Sequence, residues 1–266
     1  MAKKKINNLT DLSDVTFLTL IRLDSIDRLE NTLVVIDFIL TYFKTNIIIL
    51  EASNYHNKVL SRLLPRKVQY YFYEDYDPIF HRTHYLNEIV EKATTPIISL
   101  WDSDVLVDKK QIEDSVSLIR SGSADFVLPY DEYFLDTSAL IREQYMKHKN
   151  FQNLKDNRNK MKPLYASDPV GGAVFSLKEN YVAAGMENES FYGWGNHDGE
   201  RINRWEILGF KVQRVDGPMY HLTHSRSINS KYHTSRQSEL KRVELERLAM
   251  MSKEEMEREI SQWKRL

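Results

Sequence analysis

Residues 96–104 read Pro-Ile-Ile-Ser-Leu-Trp-Asp-Ser-Asp, and this stretch decides how the rest of the chain is interpreted. A short apolar run that ends at polar residues is typical of a buried strand in a parallel sheet. Asp102 and Asp104 follow the carboxyl end of that strand, which is where open α/β sheets bind ligands. On an extended segment the two side chains point the same way. Like charges held that close repel each other unless a cation lies between them.

A divalent metal ion that carries a phosphate is the simplest such cation, because Mg²⁺ and Mn²⁺ prefer hard oxygen ligands. The alternative is a solvated Asp-Ser-Asp turn without a ligand, and the triplet taken alone favours that alternative. The remainder of the chain favours the metal site.

Apolar segments alternate with amphipathic ones in the first half of the chain. β-Branched and apolar runs predict strands at residues 15–23, 46–50, 68–73, 97–101 and 126–129. Apolar residues at helical spacing predict helices at residues 26–43, 54–64, 83–94 and 109–121. This alternation predicts an α/β fold with a mixed, mostly parallel sheet flanked by helices. We expect a nucleotide-binding half over about residues 8–130.

The composition changes after residue 130. Residues 131–166 are polar, basic and irregular, which predicts a surface segment of helix and loop. Of the nine glycines, all except Gly122 lie between residues 171 and 217, and glycine concentrates where the backbone turns sharply or approaches a ligand. Strands are predicted at residues 173–177 and 211–215, and a helix at residues 200–208. Residues 131–234 therefore complete one domain that spans residues 1–234.

The last segment, residues 235–266, is highly charged and reads as a C-terminal helical extension. Leu240, Val243, Leu248 and Met251 form one apolar stripe. Ser252 and Glu255 have the spacing of a capping box, which predicts that a second helix begins there. A packing helix, or one through which the protein forms an oligomer, is a better interpretation of this segment than a catalytic one.

Composition excludes several classes of protein. The net charge of −1 gives no indication of a nucleic-acid surface, and the absence of cysteine excludes disulfides and thiolate metal sites. No apolar run approaches the ~20 residues of a transmembrane helix, and the basic start has no hydrophobic region of a signal peptide behind it. We expect a cytoplasmic protein, in which the lysines at residues 3–5 could contact the inner face of a membrane.

Residues 191–200 read Phe-Tyr-Gly-Trp-Gly-Asn-His-Asp-Gly-Glu. Two glycines beside Trp194 are typical of a mobile aromatic lid, and aromatic faces stack on sugar rings. Asp198, close to a predicted helix start, could act as a general base. The alternative is a core tryptophan on a tight turn, with Asp198 as the N-cap of the helix.

Two further clusters contain ligand-type side chains. His221 and His224 follow a predicted strand, but their spacing alone does not bring them to one metal, and a lone histidine is more often a surface residue. Residues 80–84 read Phe-His-Arg-Thr-His at a helix entry. Helix N-termini favour anions, so this segment could hold a base and phosphates, or it could be an ordinary helix start.

Together these motifs resemble the beta-1,4-galactosyltransferase family and its bacterial relatives, which are inverting, metal-dependent enzymes of the glycosyltransferase A fold. The resemblance rests on Asp-x-Asp, a Gly-Gly strand, Trp-Gly followed after two intervening residues by Asp, and His-Ser-Arg, in that order. It covers about residues 15–226. It implies a glycosyltransferase A fold with a donor half over about residues 8–130 and an acceptor half over residues 131–234.

The resemblance also implies a role for each matching residue. Arg22, Phe80, Arg82, Asp102 and Asp104 match the donor-nucleotide site. The sugar and acceptor site is matched by Gly171, Gly172, Trp194, His197 and Asp198, with Asp198 as the catalytic base. Asp104, His221 and His224 match the metal ligands, so that the expected cofactor is Mn²⁺ or Mg²⁺.

Four positions depart from the family pattern. His197 stands where the family usually has a glutamate, which changes the group offered to sugar hydroxyls. His221 replaces a methionine ligand of animal members, and nitrogen is a harder donor than sulfur, so a broader metal preference is expected. Pro169 and Val170 precede the Gly-Gly pair where an aromatic residue often lies.

The implied function is metal-dependent, inverting transfer of galactose, N-acetylgalactosamine or a similar sugar from a UDP-sugar to a glycan or glycolipid hydroxyl. Surface polysaccharide or glycolipid synthesis is the expected setting. A sugar-binding protein without turnover is the main alternative, for which His197 is the best argument. A sugar nucleotidyltransferase is a weaker one, because residues 22–30 lack a glycine-rich phosphate loop.

Overall fold

The structure, a computed structural model, describes residues 9–131, 133–166, 168–226, 229 and 231–263. Within these ranges the chain alternates strands and helices for its first half and then becomes more irregular. The strands are β1 (Thr10–Ile21), β2 (Phe43–Ser53), β3 (Gln69–Glu74), β4 (Ile97–Trp101), β5 (Val105–Leu106), β6 (Phe126–Leu128), β7 (Phe134–Asp136), β8 (Lys162–Pro163), β9 (Ala173–Leu177), β10 (Val212–Arg214) and β11 (Met219–His221). The helices are α1 (Ile26–Tyr42), α2 (Val59–Leu63), α3 (Arg82–Lys92), α4 (Lys109–Arg120), α5 (Ala139–His148), α6 (Phe151–Asp156), α7 (Lys178–Ala183), α8 (His197–Ile207), α9 (Ser235–Ala249) and α10 (Lys253–Gln262).

The main sheet of the described chain has the strand order β10-β6-β9-β4-β1-β2-β3. Every neighbouring pair in it is parallel except the two pairs that β9 makes with β4 and β6. The expected mixed, mostly parallel α/β fold is therefore confirmed. Because β9 runs against β4, the start of β9 lies beside the end of β4, where Trp101 pairs with Ala173.

Both faces of this sheet are buried, since side chains alternate along each strand. On β1, Val15 and Phe17 point into one core with α1 and α4. Leu18 and Leu20 point into the opposite core with α3 and α8. A sheet covered on both faces needs continuous apolar strands, which explains why the sequence of β1 and β4 lacks the polar alternation of a half-exposed strand.

Helix starts are fixed by side-chain caps. The Ser25 side chain accepts the backbone N–H of Arg28 at the start of α1, and Asp108 caps α4 in a capping box. The capping box predicted for Ser252 and Glu255 is present at the start of α10. These local bonds satisfy N–H groups that the first turn of a helix leaves without partners.

Several boundaries differ from the sequence-based expectation. β1 begins at Thr10 and ends before Leu23, and the helix predicted over residues 54–64 is confined to Val59–Leu63. α8 begins at His197, three residues before the predicted start, because glycine at position 199 obscures the helical pattern. The expectation of helix and loop alone for residues 131–166 was wrong, since β7 and β8 join β11 and β5 in a second, four-stranded sheet within the described chain.

The C-terminal helices pack on the domain. Leu248 of α9 and Met256 of α10 are buried in the core on the α3 and α8 face of the main sheet. The predicted apolar stripe is divided, because Leu240 and Val243 remain exposed. Oligomer formation through this segment stays a prediction. In the described part of the chain, no helix combines the length and apolarity needed to cross a bilayer, and residues 3–5 lie outside that part.

Phe17 is expected to be a main contributor to stability. Its ring lies edge-on to Trp101 at 5.3 Å and to Phe175 at 5.6 Å, so it joins the three central strands. Phe17→Ala should lower the free energy of unfolding by about 3–5 kcal/mol, because it leaves a cavity in a fully buried core. Leu140→Ala, at a side chain that is 78% exposed, should change it by less than about 0.5 kcal/mol. Equal losses in urea unfolding of the two variants would contradict this assignment.

Candidate functional site

A cleft opens at the carboxyl ends of β1 and β4 and beside the start of β9. This is the edge of an open α/β sheet where ligands bind. All the site residues predicted from the sequence line it: Arg22, Phe80, Arg82, Asp102, Asp104, Gly171, Gly172, Trp194, His197, Asp198, His221 and His224. The fold thus brings together residues that lie up to about two hundred positions apart in the chain.

Asp104, His221 and His224 form a group that fits a metal ion. One ligand atom from each lies within 4.8 Å of the others. His224 Nε2 is 3.1 Å and His221 Nε2 is 3.8 Å from Asp104 Oδ2. The histidine spacing that was ambiguous in the sequence is resolved, because both imidazoles face the same carboxylate.

The opposite nitrogens of both rings are hydrogen-bonded. His221 Nδ1 lies 2.7 Å from Asp136 Oδ1, and His224 Nδ1 lies 2.9 Å from the carbonyl oxygen of Ser225. Acceptors at Nδ1 favour the tautomer that carries its proton there, and Nε2 is then the nitrogen that could bind a metal ion in place of its present contact with Asp104. This arrangement is typical of metal-binding histidines, whose second nitrogen is held by a carboxylate or carbonyl.

The two acids of Asp-Ser-Asp have different partners. Residues 103 and 104 form a turn, so the extended geometry assumed from the sequence ends at Trp101. Asp102 is paired with Arg82, and Asp104 faces the two histidines. The two carboxylates therefore do not flank a single cation as their spacing suggested, and Asp104 alone belongs to the metal-type group.

The charges around these acids compensate their burial. Burial alone would raise the pKa of Asp104, but His221, His224 and Arg28 hold it well below its usual range. For Asp102 burial prevails and raises the pKa, although Arg82 acts in the opposite direction. Asp104 is thus an anion that suits a metal cation. The ionised form of Asp102, in contrast, is favoured by the neighbouring charge of Arg82.

Asp198 lies across the cleft in the first turn of α8. The N-cap of that helix is Asn196, so the alternative of Asp198 as the N-cap was wrong. Asp198 Oδ1 accepts a hydrogen bond from Arg201 Nη2 at 2.7 Å. Burial would raise the pKa of Asp198, but His197, Arg201 and Arg82 together lower it, so the carboxylate is ionised at neutral pH.

Glu200, the other carboxylate of this turn, is directed away from the cleft. It is 1% exposed, and its Oε1 accepts a hydrogen bond from Arg204 Nε at 2.7 Å. Arg204 also donates to backbone carbonyl groups of Ala184 and Met186. Glu200 therefore belongs to a buried structural ion pair, and Asp198 is the carboxylate that faces the cleft.

His197 is buried beside Asp198 and lines the cleft. Within the described residues neither ring nitrogen makes a hydrogen bond of good geometry, although Nε2 lies 3.4 Å from Asp198 Oδ2. Burial lowers the pKa of His197, so the ring is neutral at pH 7. A buried imidazole that offers one donor and one acceptor to the cleft is suited to a hydroxyl-rich ligand.

The nucleotide-type residues surround the end of β1. The guanidinium of Arg22 lies 5.2 Å from the ring centre of Phe80 and donates to the carbonyl oxygen of Asp77 at 2.7 Å. The backbone N–H of Phe80 donates to Asn229. These contacts hold the aromatic face of Phe80 and the guanidinium of Arg22 in place. Arg82 lines the same cleft.

Sequence reasoning missed several residues that support the site. Asp136 lies in the segment that gave no strand signal, so nothing in the sequence linked it to His221. Arg201 could have been found, because it is three residues after Asp198 on a helix and so shares its face. Arg28 and Tyr165 also line the cleft and had no motif to mark them.

Comparison with known proteins finds one similar family and several structures of similar fold. Residues 152–234 match the family profile described as the N-terminal domain of galactosyltransferase. A sequence search of curated proteins finds no match.

Solved structures with the same fold include the catalytic domain of Drosophila beta-1,4-galactosyltransferase 7 in complex with xylobiose. It has a TM-score of 0.54 and 16% identity, over 86% of this chain and 79% of that one. A mutant of that Drosophila enzyme, in complex with manganese, UDP-Gal and xylobiose, gives a TM-score of 0.53 at 15% identity, over 86% and 79% of the two chains.

The fold is that of the glycosyltransferase A class, to which the similar Drosophila structures belong. In addition, residues 152–234 are similar to the galactosyltransferase family, in line with the resemblance in the sequence.

The metal-type group predicts Mn²⁺ binding by the full chain. Asp104→Asn and His224→Ala should abolish it in calorimetry, because each removes a ligand. Asp136→Asn should weaken it by about 10–100-fold, because His221 loses the carboxylate that orients it. His148→Ala, at an exposed histidine, is the matched control. An unchanged affinity in Asp136→Asn would contradict the orienting role.

Gly171 is expected to be required for the position of Asp198. A Cβ at Gly171 would lie 2.7 Å from Asp198 Oδ2, closer than such atoms approach. Gly171→Ala should therefore displace the carboxylate and lower turnover by about tenfold or more, while UDP affinity is retained. Gly199→Ala, where a Cβ meets nothing within 4 Å, should leave turnover unchanged. Equal turnover in the two variants would refute this contact.

Proposed function

We propose that this chain is a metal-dependent, inverting glycosyltransferase that moves galactose, N-acetylgalactosamine or a similar sugar from a UDP-sugar to an acceptor hydroxyl. The observation that carries the proposal is one cleft lined both by a metal-type group and by an ionised carboxylate, Asp198. The manganese, UDP-Gal and xylobiose bound to the Drosophila enzyme of the same fold support it.

The donor is proposed to lie along the edge formed by Arg22, Phe80 and Arg82. Phe80 offers an aromatic face to the uracil ring, and the arginines offer charge to the diphosphate. Mn²⁺ held by Asp104, His221 and His224 would neutralise the charge that develops on the diphosphate as it leaves. Mg²⁺ is the alternative metal, and the two imidazoles favour Mn²⁺ over it.

Asp198 is proposed to be the general base. A sugar hydroxyl is a poor nucleophile, so its proton must leave as the new bond to the anomeric carbon forms. Asp198 Oδ2 lies against Gly171, and the absence of a side chain there allows the carboxylate to take this position at the edge of the cleft. The bond from Arg201 holds Oδ1 and so orients the carboxylate.

Trp194 and His197 are proposed to contact the sugars. The indole offers an apolar face to the C–H face of a sugar ring, while Gly171 and Gly172 permit close approach of the backbone. His197 would exchange one hydrogen bond with a hydroxyl, since its ring nitrogens make no hydrogen bond of good geometry within the described residues. The acceptor is proposed to be a glycan or glycolipid, with surface polysaccharide synthesis as the setting.

UDP release tests this function. The full chain is incubated with Mn²⁺, a panel of UDP-sugars and candidate acceptors including xylobiose. Release that EDTA abolishes and Mn²⁺ restores is expected. UDP binding without release from any donor would favour the sugar-binding alternative, and pyrophosphate production from UTP and a sugar phosphate would favour a nucleotidyltransferase.

Asp198→Asn should lower turnover by about 10²–10⁴-fold and retain UDP binding, because it removes basicity but keeps the size of the side chain. Glu200→Gln should instead lower the melting temperature, because it breaks a buried ion pair with Arg204. Turnover and thermal unfolding of both variants are measured together. Near-normal turnover in Asp198→Asn with loss in Glu200→Gln would move the base to Glu200.

A further inference from the structure

The loop at residues 191–196, between α7 and α8, carries Trp194 and is fastened to α9. Lys241 Nζ donates a hydrogen bond to the carbonyl oxygen of Trp194 at 2.7 Å. Gln237 Nε2, one helical turn earlier, donates to the carbonyl oxygen of Tyr192 at 3.3 Å. α9 therefore holds the backbone of the loop at two positions.

Tyr232, just before α9, holds the other end of the loop. Its hydroxyl donates to Asn196 Oδ1 at 2.6 Å, and its ring lies edge-on to the ring of Trp194 at 5.2 Å. A Cβ at Gly195 would lie 2.7 Å from the Tyr232 ring, and Gly195 has a φ of +98°. The glycine beside Trp194 thus allows this close packing as well as the turn.

Lys241 is an unusual residue for a packing position. It is 5% exposed, and burial lowers its pKa to about 8, so keeping an ammonium group there is unfavourable. Among the described residues it forms no salt bridge, whereas its exposed neighbour Arg242 pairs with Glu246. Its contacts are the Trp194 carbonyl and the ring of Tyr232, at 5.9 Å from the ring centre.

The apolar positions of the C-terminal helices show what packing alone requires. Leu248, two turns after Lys241, and Met256 fill the core with apolar side chains. A methionine at position 241 would fill a similar volume without burying a charge. The ammonium is therefore explained by the carbonyl it holds rather than by the attachment of α9.

We propose that Lys241 is a positioning residue for Trp194, and that through it α9 fixes the aromatic face that the cleft presents to an acceptor. The importance of Trp194 for the acceptor rests on the proposed function. The hydrogen bond between Lys241 and the Trp194 carbonyl is independent of that function. α9 also packs against α8, the helix that carries His197 and Asp198, so one element supports both parts of the acceptor side.

Fluorine NMR of the full chain labelled with 5-fluorotryptophan tests the proposal. The four tryptophans give four resonances, and Trp194→Phe assigns the one from Trp194. In Lys241→Met this resonance should change its chemical shift, or its linewidth should increase by about twofold or more. The reason is that the loop would exchange between positions. The resonances of Trp101 and Trp205, which are fully buried in the cores, should stay unchanged.

Arg242→Met is the matched control, since it removes an exposed cation from the same helix, and it should change none of the four resonances. Equal changes at all tryptophans in Lys241→Met, or no change at Trp194, would overturn the proposal in favour of a purely structural lysine. If Lys241→Met does not fold, Tyr232→Phe takes its place and should also move the Trp194 resonance.

Two functional measurements separate this proposal from the proposed function. The affinity of Lys241→Met for UDP with Mn²⁺ should stay within about twofold of the wild type, since among the described residues the hydrogen bonds from Gln237 and Lys241 of α9 go to the Trp194 loop and not to the donor residues. With an active donor and acceptor pair, the KM for the acceptor should rise about tenfold while the KM for the donor stays within about twofold. Absence of UDP binding in the wild type would refute the function, while the Trp194 resonance still decides the role of Lys241.

Discussion

The arrangement of this molecule depends on keeping three carboxylates, Asp102, Asp104 and Asp198, in one cleft and largely out of water. Burial and mutual repulsion both oppose this, and the opposition is removed only by cations placed beside each acid. Arg82 compensates Asp102, and Arg201 compensates Asp198. Asp104 is left with two imidazoles and a more distant arginine, which makes it the acid best suited to receive a metal ion.

This constraint explains why such distant segments converge on the cleft. The cations come from the starts of α3 and α8 and from the segment after β11, and each of these has to reach the edge formed by β4 and β9. The antiparallel course of β9 is what brings Gly171 and Gly172 to that edge, since a parallel strand would present its other end there. The topology of the sheet therefore also brings together the charged side chains that balance one another in the cleft.

Much of the fold and cleft could be predicted from the sequence. The strands with continuous apolar runs and the helices with clear spacing were found, because a doubly covered sheet leaves that pattern in each segment. The predicted site residues all line the cleft. Several of them follow the ends of strands, and the ends of parallel strands meet at one edge of the sheet. By contrast, β7 and β8 are too short to show the alternation of apolar and polar residues that marks a strand. Asp136 was therefore missed as the partner of His221. The attachment of α9 to the Trp194 loop was also missed, because a lysine on a charged helix resembles any solvated lysine until its burial is known.

The 120 residues that separate Asp104 from His224 have a consequence for biosynthesis. The β-α units of the first half leave the ribosome first, and β1 pairs with β2 and β4 of the same half. Asp104 then exists for some time without either imidazole, and a nascent chain that lacks β11 has no complete metal group. Under the proposed function, metal binding therefore requires nearly the whole domain, and a chain that ends before β11 lacks a complete metal group.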